Sequence, residues 1–337
     1  MDRMLAARLH VPSRTLRMEE VPRPRPAAGE VLVKVEAAGV CLSDVHLIDG
    51  TLTPALLPGD TVTLGHEVAG TVHEAGEGVT RWSPGQRVVL HAGESRDGVT
   101  WTRGVDYDGG WAQYALSSAD ALTALPDTIP FEQGAIIPDA VSTPWGAITG
   151  TGAVRPAEAV GVWGAGGLGV HAVQLLRAVG ACPVIAVDPS PVARERALAA
   201  GADLALDPAD PGLSAQVRTA TGGAGLAAAF DFAGVPVVRE QALSVLAPRG
   251  RLVLVGLTDR PLSVIDGTRF SYLQQQILGH YGSDMTVALP QLLRLVQGGR
   301  VDFSASVSGV LPLAEAGRAV EMLAKKEGDP VRLILRP

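Results

Sequence analysis

A glycine turn set between a strand and a helix constrains the fold most strongly. Val160-Gly161-Val162-Trp163 reads as a short buried strand, and Gly164-Ala165-Gly166-Gly167-Leu168-Gly169 follows it directly. An apolar helical pattern then continues through Ala178. In such a turn Gly164 takes up the tight backbone angle, Gly166 admits a pyrophosphate to the main chain, and Gly169 lets the helix sit close to the sheet. Gly167 and Leu168 complete the turn, and the helix start offers unsatisfied amides to phosphate oxygens. Asp188 closes the next apolar run, about 20 residues on, where an acid accepts from ribose hydroxyls and repels a 2′-phosphate. NAD is therefore expected in preference to NADP, with Arg194 and Arg196 just downstream working against that preference. The plainer alternative is a glycine turn beside a solvated acid.

The surrounding pattern fits this placement. Strands are expected at Pro183–Val187, Ala202–Leu206, Ala227–Phe232 and Arg251–Val255, with helices through Ala200 and over Val237–Leu246. Strands alternating with helices predict βαβ units on a parallel sheet. Phe230-Asp231-Phe232-Ala233-Gly234 and Val253-Leu254-Val255-Gly256 end later strands, where nucleotide contacts belong. Gly256 is a candidate for close approach to the nicotinamide, and Asp231 a weaker one, because an acid there also bonds local amides. Residues 1–140 have a different texture, with short Val-rich runs broken by Gly and Pro. Glu30–Ala37, Val68–His73 and Gln86–Leu90 read as strands, and Ala92–Asp108 as a polar surface loop. A further helix over Ala314–Lys325 and a strand over Val331–Leu335 close the chain. An α/β protein of two domains is expected, its segments being 1–140, 141–281 and 282–337.

Composition narrows the function classes. A chain of 337 residues with 47% apolar content can bury two cores. The formal net charge of −7 argues against a nucleic-acid partner, since phosphate binding needs a concentrated basic surface. No apolar run is long enough for a membrane span, and the N-terminus enters a strand-like segment rather than a signal peptide. Cys41 and Cys182 are too few for a disulfide scaffold. A cytoplasmic setting that keeps Cys41 reduced is expected.

Chemistry enters with three separated residues. Cys41 opens Cys41-Leu42-Ser43-Asp44-Val45-His46, His66 lies in Gly65-His66-Glu67, and Asp139 in Ile137-Pro138-Asp139-Ala140. Thiolate, imidazole and carboxylate together suit one zinc ion with an exchangeable position. Glu67 is an intermittent fourth ligand or an electrostatic neighbour. Taken singly, each has an ordinary reading: a buried thiol, a core histidine, a helix cap. His91 is the other histidine nearest this region, while Cys182 reads as packing in the nucleotide half.

Those motifs, with Gly76-Glu77-Gly78-Val79 and Gly109-Gly110-Trp111-Ala112-Gln113-Tyr114, give the chain a full-length resemblance to zinc-dependent medium-chain alcohol dehydrogenases. The resemblance implies a GroES-like β-rich catalytic domain, resumed at the C-terminus, and a six-stranded Rossmann domain. It implies Cys41, His66 and Asp139 as catalytic zinc ligands, Asp139 replacing a cysteine common in the family. It implies Ser43 as the hydroxyl of a proton relay and His46 as its solvent end. The substrate would be a small alcohol or carbonyl compound, the cofactor NAD, and the assembly a homodimer or homotetramer paired through the nucleotide domain. The lobe at 92–108 lacks the four cysteines that hold a second, structural zinc in many members, so one ion per subunit is expected. The rival readings are a zinc-free quinone or enoyl reductase on the same scaffold and a non-enzymatic NAD-binding redox sensor.

Overall fold

The computed structural model describes residues 2–337, which divide into two units, 2–142 with Asp284–Pro337, and Thr143–Ser283. Six parallel strands form the sheet of the second unit. Val160–Trp163 lies at the centre, with Val184–Val187 and Leu204–Leu206 outward on one side. Leu226–Asp231, Leu246–Leu254 and Gln276–Gly279 follow on the other. This reversal of direction beside the first strand is the switch point at which doubly wound sheets bind nucleotides. Trp163, Ile185, Val187, Leu226 and Leu252 pack in one buried apolar core. The expected helix over 237–246 runs as Pro236–Ser244; Val245 caps it and Leu246 begins the strand Leu246–Leu254. Cys182 is exposed and therefore not a packing residue.

The first unit is built on mainly antiparallel strands, with Val307–Pro312 parallel to Arg332–Arg336. Leu122–Ala124, Arg87–Leu90, Val68–Ala75, Glu30–Val40, Arg332–Arg336 and Val307–Pro312 lie side by side in that order. Arg332–Arg336 pairs with the far end of Glu30–Val40, so the last strand of the chain is joined to one of the first. A three-stranded sheet of Thr15–Pro22, Arg3–His10 and Thr61–Thr63 completes the unit. Leu9, Val33, Leu47, Leu64, Leu90, Trp111 and Leu335 share one core. Helix Met285–Gln297 carries Pro290 inside it, and Ala288, Leu289, Leu292 and Leu293 form its buried stripe. No helix among the described residues is long and apolar enough to cross a membrane.

The stretch expected to be a loop, 92–108, contains a hairpin instead. Gly93–Arg96 pairs with Val99–Thr102, and Asp97-Gly98 turn between them at φ 52° and 78°. Positive angles at both central residues define the turn that matches strand twist, and Asp-Gly is its preferred sequence. Arg103 fastens this lobe. Its side chain is fully buried and donates to His91 O at 3.0 Å, Leu116 O at 2.8 Å, Ser117 Oγ at 3.1 Å and Glu94 Oε1 at 3.2 Å. The Tyr107 ring stacks under Arg103 and Arg96, 5.1 Å and 4.4 Å from its centroid. A charged side chain with its hydrogen-bonding groups engaged thus supplies the crosslink. Arg103→Ala would strand Glu94 and two carbonyls, and should cost about 3–5 kcal/mol of stability in chemical denaturation. Arg96→Ala, with an exposed head, should cost below about 1 kcal/mol. Equal, small losses for both would show that the lobe is held by something else.

Candidate functional site

Cys41 follows the strand Glu30–Val40 and caps helix Leu42–Asp49. The cap forms because Asp44, three residues on, accepts the Cys41 amide at 2.9 Å through Oδ2. This is half of a capping box, and it fixes the thiol at the helix start. Ser43 Oγ lies 3.6 Å from Cys41 Sγ. His46, three residues further on the same helix, is half-buried.

His66 sits on a turn just after strand Thr61–Thr63. The turn is pinned from outside by residues 109–111, whose amides donate to Thr63 O, Gly65 O and Leu64 O at 2.7–2.8 Å. Gly65 has φ 94°, and a Cβ there would stand 2.2 Å from the Trp111 ring. Trp111 in turn donates Nε1–H to Gly39 O at 2.9 Å. A Cβ at Gly39 would meet Glu67 Oε2 at 2.0 Å, so that glycine makes the space in which the Glu67 carboxylate lies. The motifs of the sequence reading thereby acquire a mechanical purpose: they set the backbone on either side of His66 and Glu67.

Asp139 arrives from helix Phe131–Ile136, which widens into a π-helical turn over Ile137–Val141. Pro138 has no amide for the regular ladder, and the Ser142 amide reaches back to Ile137 O. The result brings Asp139 Oδ2 to 3.4 Å from Cys41 Sγ and 3.3 Å from His66 Nε2. Ligand atoms of Cys41, His66, Glu67 and Asp139 all lie within 4.8 Å of one another. The three expected ligands and Glu67 therefore converge within the first unit.

Two further residues belong to this cluster. Asp44 is fully buried, with Oδ1 3.7 Å from His66 Nδ1, which leaves Nε2 facing Cys41 and Asp139. A carboxylate behind the imidazole orients it and raises its basicity. Arg332 is also buried; it donates Nε–H to Glu67 Oε1 at 3.1 Å and holds Nη2 3.8 Å from Cys41 Sγ. Its signal in the sequence is a guanidinium within an apolar strand, Val331-Arg332-Leu333-Ile334-Leu335. That of Asp44 is its spacing from Cys41.

Electrostatics set the proton content of the cluster. Burial pushes the Cys41 thiol up, with Arg332 opposing and Asp139 reinforcing the shift. Burial also pushes Glu67 up to about 8 against the pull of Arg332, and raises Asp44. Burial alone would lower His66, yet Asp44, Asp139 and Cys41 together hold it well above its ordinary value. Cys41, Asp44, Glu67 and Asp139 lie near Arg332 in a largely buried site, so protons are retained where a cation would release them. Glu67 Oε2 and His66 Nδ1 are buried without hydrogen-bond partners. Sulfur, imidazole nitrogen and carboxylate oxygen are the donors zinc accepts, and this chain's residues fit that ion.

His91 stands apart from the cluster. It follows strand Arg87–Leu90, is buried, and pairs Nε2 with Thr123 Oγ1 at 3.0 Å. Burial, helped by Arg103, depresses it to about 4, a neutral structural histidine.

In the second unit Gly164 has φ 88°, and a Cβ at Gly169 would fall 1.7 Å from Gly164 O. A Cβ at Gly166 would meet nothing within 4 Å, which leaves that face open. Gly167 and Leu168 lead into helix Gly169–Val179. Asp188 accepts from Ala165 N and Ser190 N, both at 2.8 Å. Asp231 bonds local groups: Ala233 N, Gly234 N and the buried Arg239, whose Nη2 reaches Gly256 O at 3.0 Å. A Cβ at Gly256 would stand 2.3 Å from Gly234 N, so neighbouring backbone already requires glycine there.

Known proteins match both halves. A family described as "Zinc-binding dehydrogenase" matches residues 167–298, and "Alcohol dehydrogenase GroES-like domain" matches 27–127. An NAD-dependent alcohol dehydrogenase of Sulfurisphaera tokodaii is 31% identical, over 96% of this chain and 92% of its own. The solved 2R,3R-butanediol dehydrogenase of Bacillus subtilis superposes with a TM-score of 0.90 at 28% identity, covering 99% of both chains. The alcohol dehydrogenase of Aeropyrum pernix does so at 0.87 and 30% identity, over 99% of this chain and 100% of its own.

Asp44→Asn removes the charge behind His66 while keeping a similar volume. Zinc affinity, measured by competition with a chromophoric chelator, should fall about 10–100-fold. Unchanged affinity in a folded variant would remove Asp44 from the metal site.

Proposed function

The chain belongs to the zinc-binding alcohol dehydrogenase family, and from that premise we propose an NAD-dependent alcohol dehydrogenase with one catalytic zinc held by Cys41, His66 and Asp139. It is an oxidoreductase that moves a hydride between a nicotinamide cofactor and an alcohol–carbonyl pair. The observation that carries the reading is the buried convergence of Cys41, His66, Glu67 and Asp139. A zinc-free quinone or enoyl reductase would have no use for it. In this reading residues 1–140 and 282–337 form the catalytic domain, and 141–281 the cofactor domain.

Zinc, when bound, would supply Lewis-acid stabilisation of negative charge on the substrate oxygen. The chain's own residues do the rest. Ser43 sits beside the Cys41 thiol, where its hydroxyl takes the proton from a substrate hydroxyl. His46 lies one turn along the helix and would pass that proton on towards solvent. Arg332 holds Glu67 by one oxygen and leaves the other without a hydrogen bond, available as an exchanging ligand. The nicotinamide nucleotide would lie on Gly164, Gly166, Gly167, Leu168 and Gly169, with its ribose on Asp188 and its nicotinamide near Gly256. The cofactor supplies the hydride chemistry, and the protein fixes its position.

Assembly and location are part of the same reading. Strand Gln276–Gly279 ends the six-stranded sheet with a free edge, and Ile265, Tyr272 and Tyr281 are among its unit's most exposed apolar side chains. We assign this surface to pairing in a homodimer or homotetramer. We assign the enzyme to the cytoplasm, a setting that keeps a thiol such as Cys41 reduced.

The test is a panel of alcohols and carbonyl compounds assayed with zinc-loaded protein and both nicotinamide cofactors at 340 nm. The expected outcome is NAD-linked turnover abolished by chelation and restored by zinc. Absence of hydride transfer with every class, or turnover indifferent to zinc, contradicts it. Ser43→Ala should lower kcat by about 10²–10⁴-fold, the usual worth of positioned proton transfer, while zinc content stays intact. Unaltered kcat would remove Ser43 from the relay.

A further inference from the structure

Asp188 and Asp207 end neighbouring strands of the parallel sheet, Val184–Val187 and Leu204–Leu206, and one guanidinium lies between them. Arg194, on helix Pro191–Ala199, shares its Nη1 among Asp188 O at 2.7 Å, Pro189 O at 2.9 Å and Asp207 Oδ2 at 3.2 Å. Its side chain is 21% exposed, so most of it is packed in this arrangement. The cation therefore stands within hydrogen-bond distance of the residue assigned to the ribose, yet its charge is directed at Asp207. Asp207 is itself held in place, because its other oxygen accepts Ala209 N at 2.8 Å.

We propose that Asp207 is a cofactor-specificity residue that works by positioning: it sequesters Arg194 from the space beside the ribose 2′-hydroxyl. A guanidinium at that spot is the natural partner of a 2′-phosphate, which it binds by paired, charge-assisted hydrogen bonds. Bound to Asp207, it offers that phosphate little net charge. Discrimination against NADP then has two parts: repulsion by Asp188 and withdrawal of the nearest cation by Asp207. The sequence alone placed Arg194 on the other side of this balance, as a residue weakening the NAD preference.

The inference rests on the NAD reading above, and the test separates the two. NADH and NADPH are titrated into the full-length protein, and dissociation constants are read from nucleotide fluorescence without any need for turnover. Asp188→Ser is compared with Asp188→Ser/Asp207→Asn, where the asparagine keeps an oxygen for Ala209 N but loses the charge. The NADPH-to-NADH affinity ratio should rise at least tenfold on adding Asp207→Asn, and Arg194→Ala in that background should abolish the rise. Asp207→Ser serves as the second variant, and retained NADH binding reports a folded cofactor unit in each case. A ratio unchanged by both Asp207 substitutions overturns the proposal, as does a rise that survives removal of Arg194. Wild-type protein that binds NADPH as tightly as NADH overturns the NAD reading instead, and the sequestration with it.

Discussion

The packing of four acidic side chains around His66 is the constraint on which the rest of the catalytic unit depends. Cys41, Asp44, Glu67 and Asp139 meet in a largely buried space beside the Arg332 guanidinium. Ionising all four there costs far more than at a surface, because charge in a poorly polarisable interior is weakly solvated. The chain answers by engaging several of these groups. Asp44 holds the Cys41 amide, and Arg332 holds Glu67. What remains is a set of donors whose protons a divalent cation would displace, and such displacement couples metal binding to the stability of the fold.

The architecture follows from bringing those groups together across the chain. Cys41 comes from a strand end, His66 from a turn clamped by residues 109–111, Asp139 from a proline-widened helix and Arg332 from the last strand. Pairing of Arg332–Arg336 with Glu30–Val40 is what lets a residue near the C-terminus reach Glu67. The C-terminal strand is thus part of the site's wall as well as of the sheet.

Much of this was legible in the sequence where local rules govern. The strand Val160–Trp163, the glycine turn and the helix after it are specified by residues that touch one another within a few positions. The ligands Cys41, His66 and Asp139 were recognisable through chemistry and a family pattern rather than through spacing. Arg332 was not, since its partner Glu67 lies 265 residues away and no local signal records such a distance. The hairpin at 93–102 was missed for the opposite reason: Asp97-Gly98 is a strong local turn signal, but the flanking residues are polar and lack the expected alternation. Met285–Gln297 is a helix with a proline inside it, carried by tertiary packing.

The account's central claim, that the buried cluster is a zinc site with a single thiolate, is tested most directly by zinc K-edge X-ray absorption on the zinc-loaded protein. The account predicts a shell with one sulfur at about 2.3 Å and the remaining ligands nitrogen or oxygen at about 2.0–2.2 Å. A spectrum without sulfur, or one requiring two sulfur ligands, would contradict it, because only Cys41 among the chain's two cysteines belongs to the cluster.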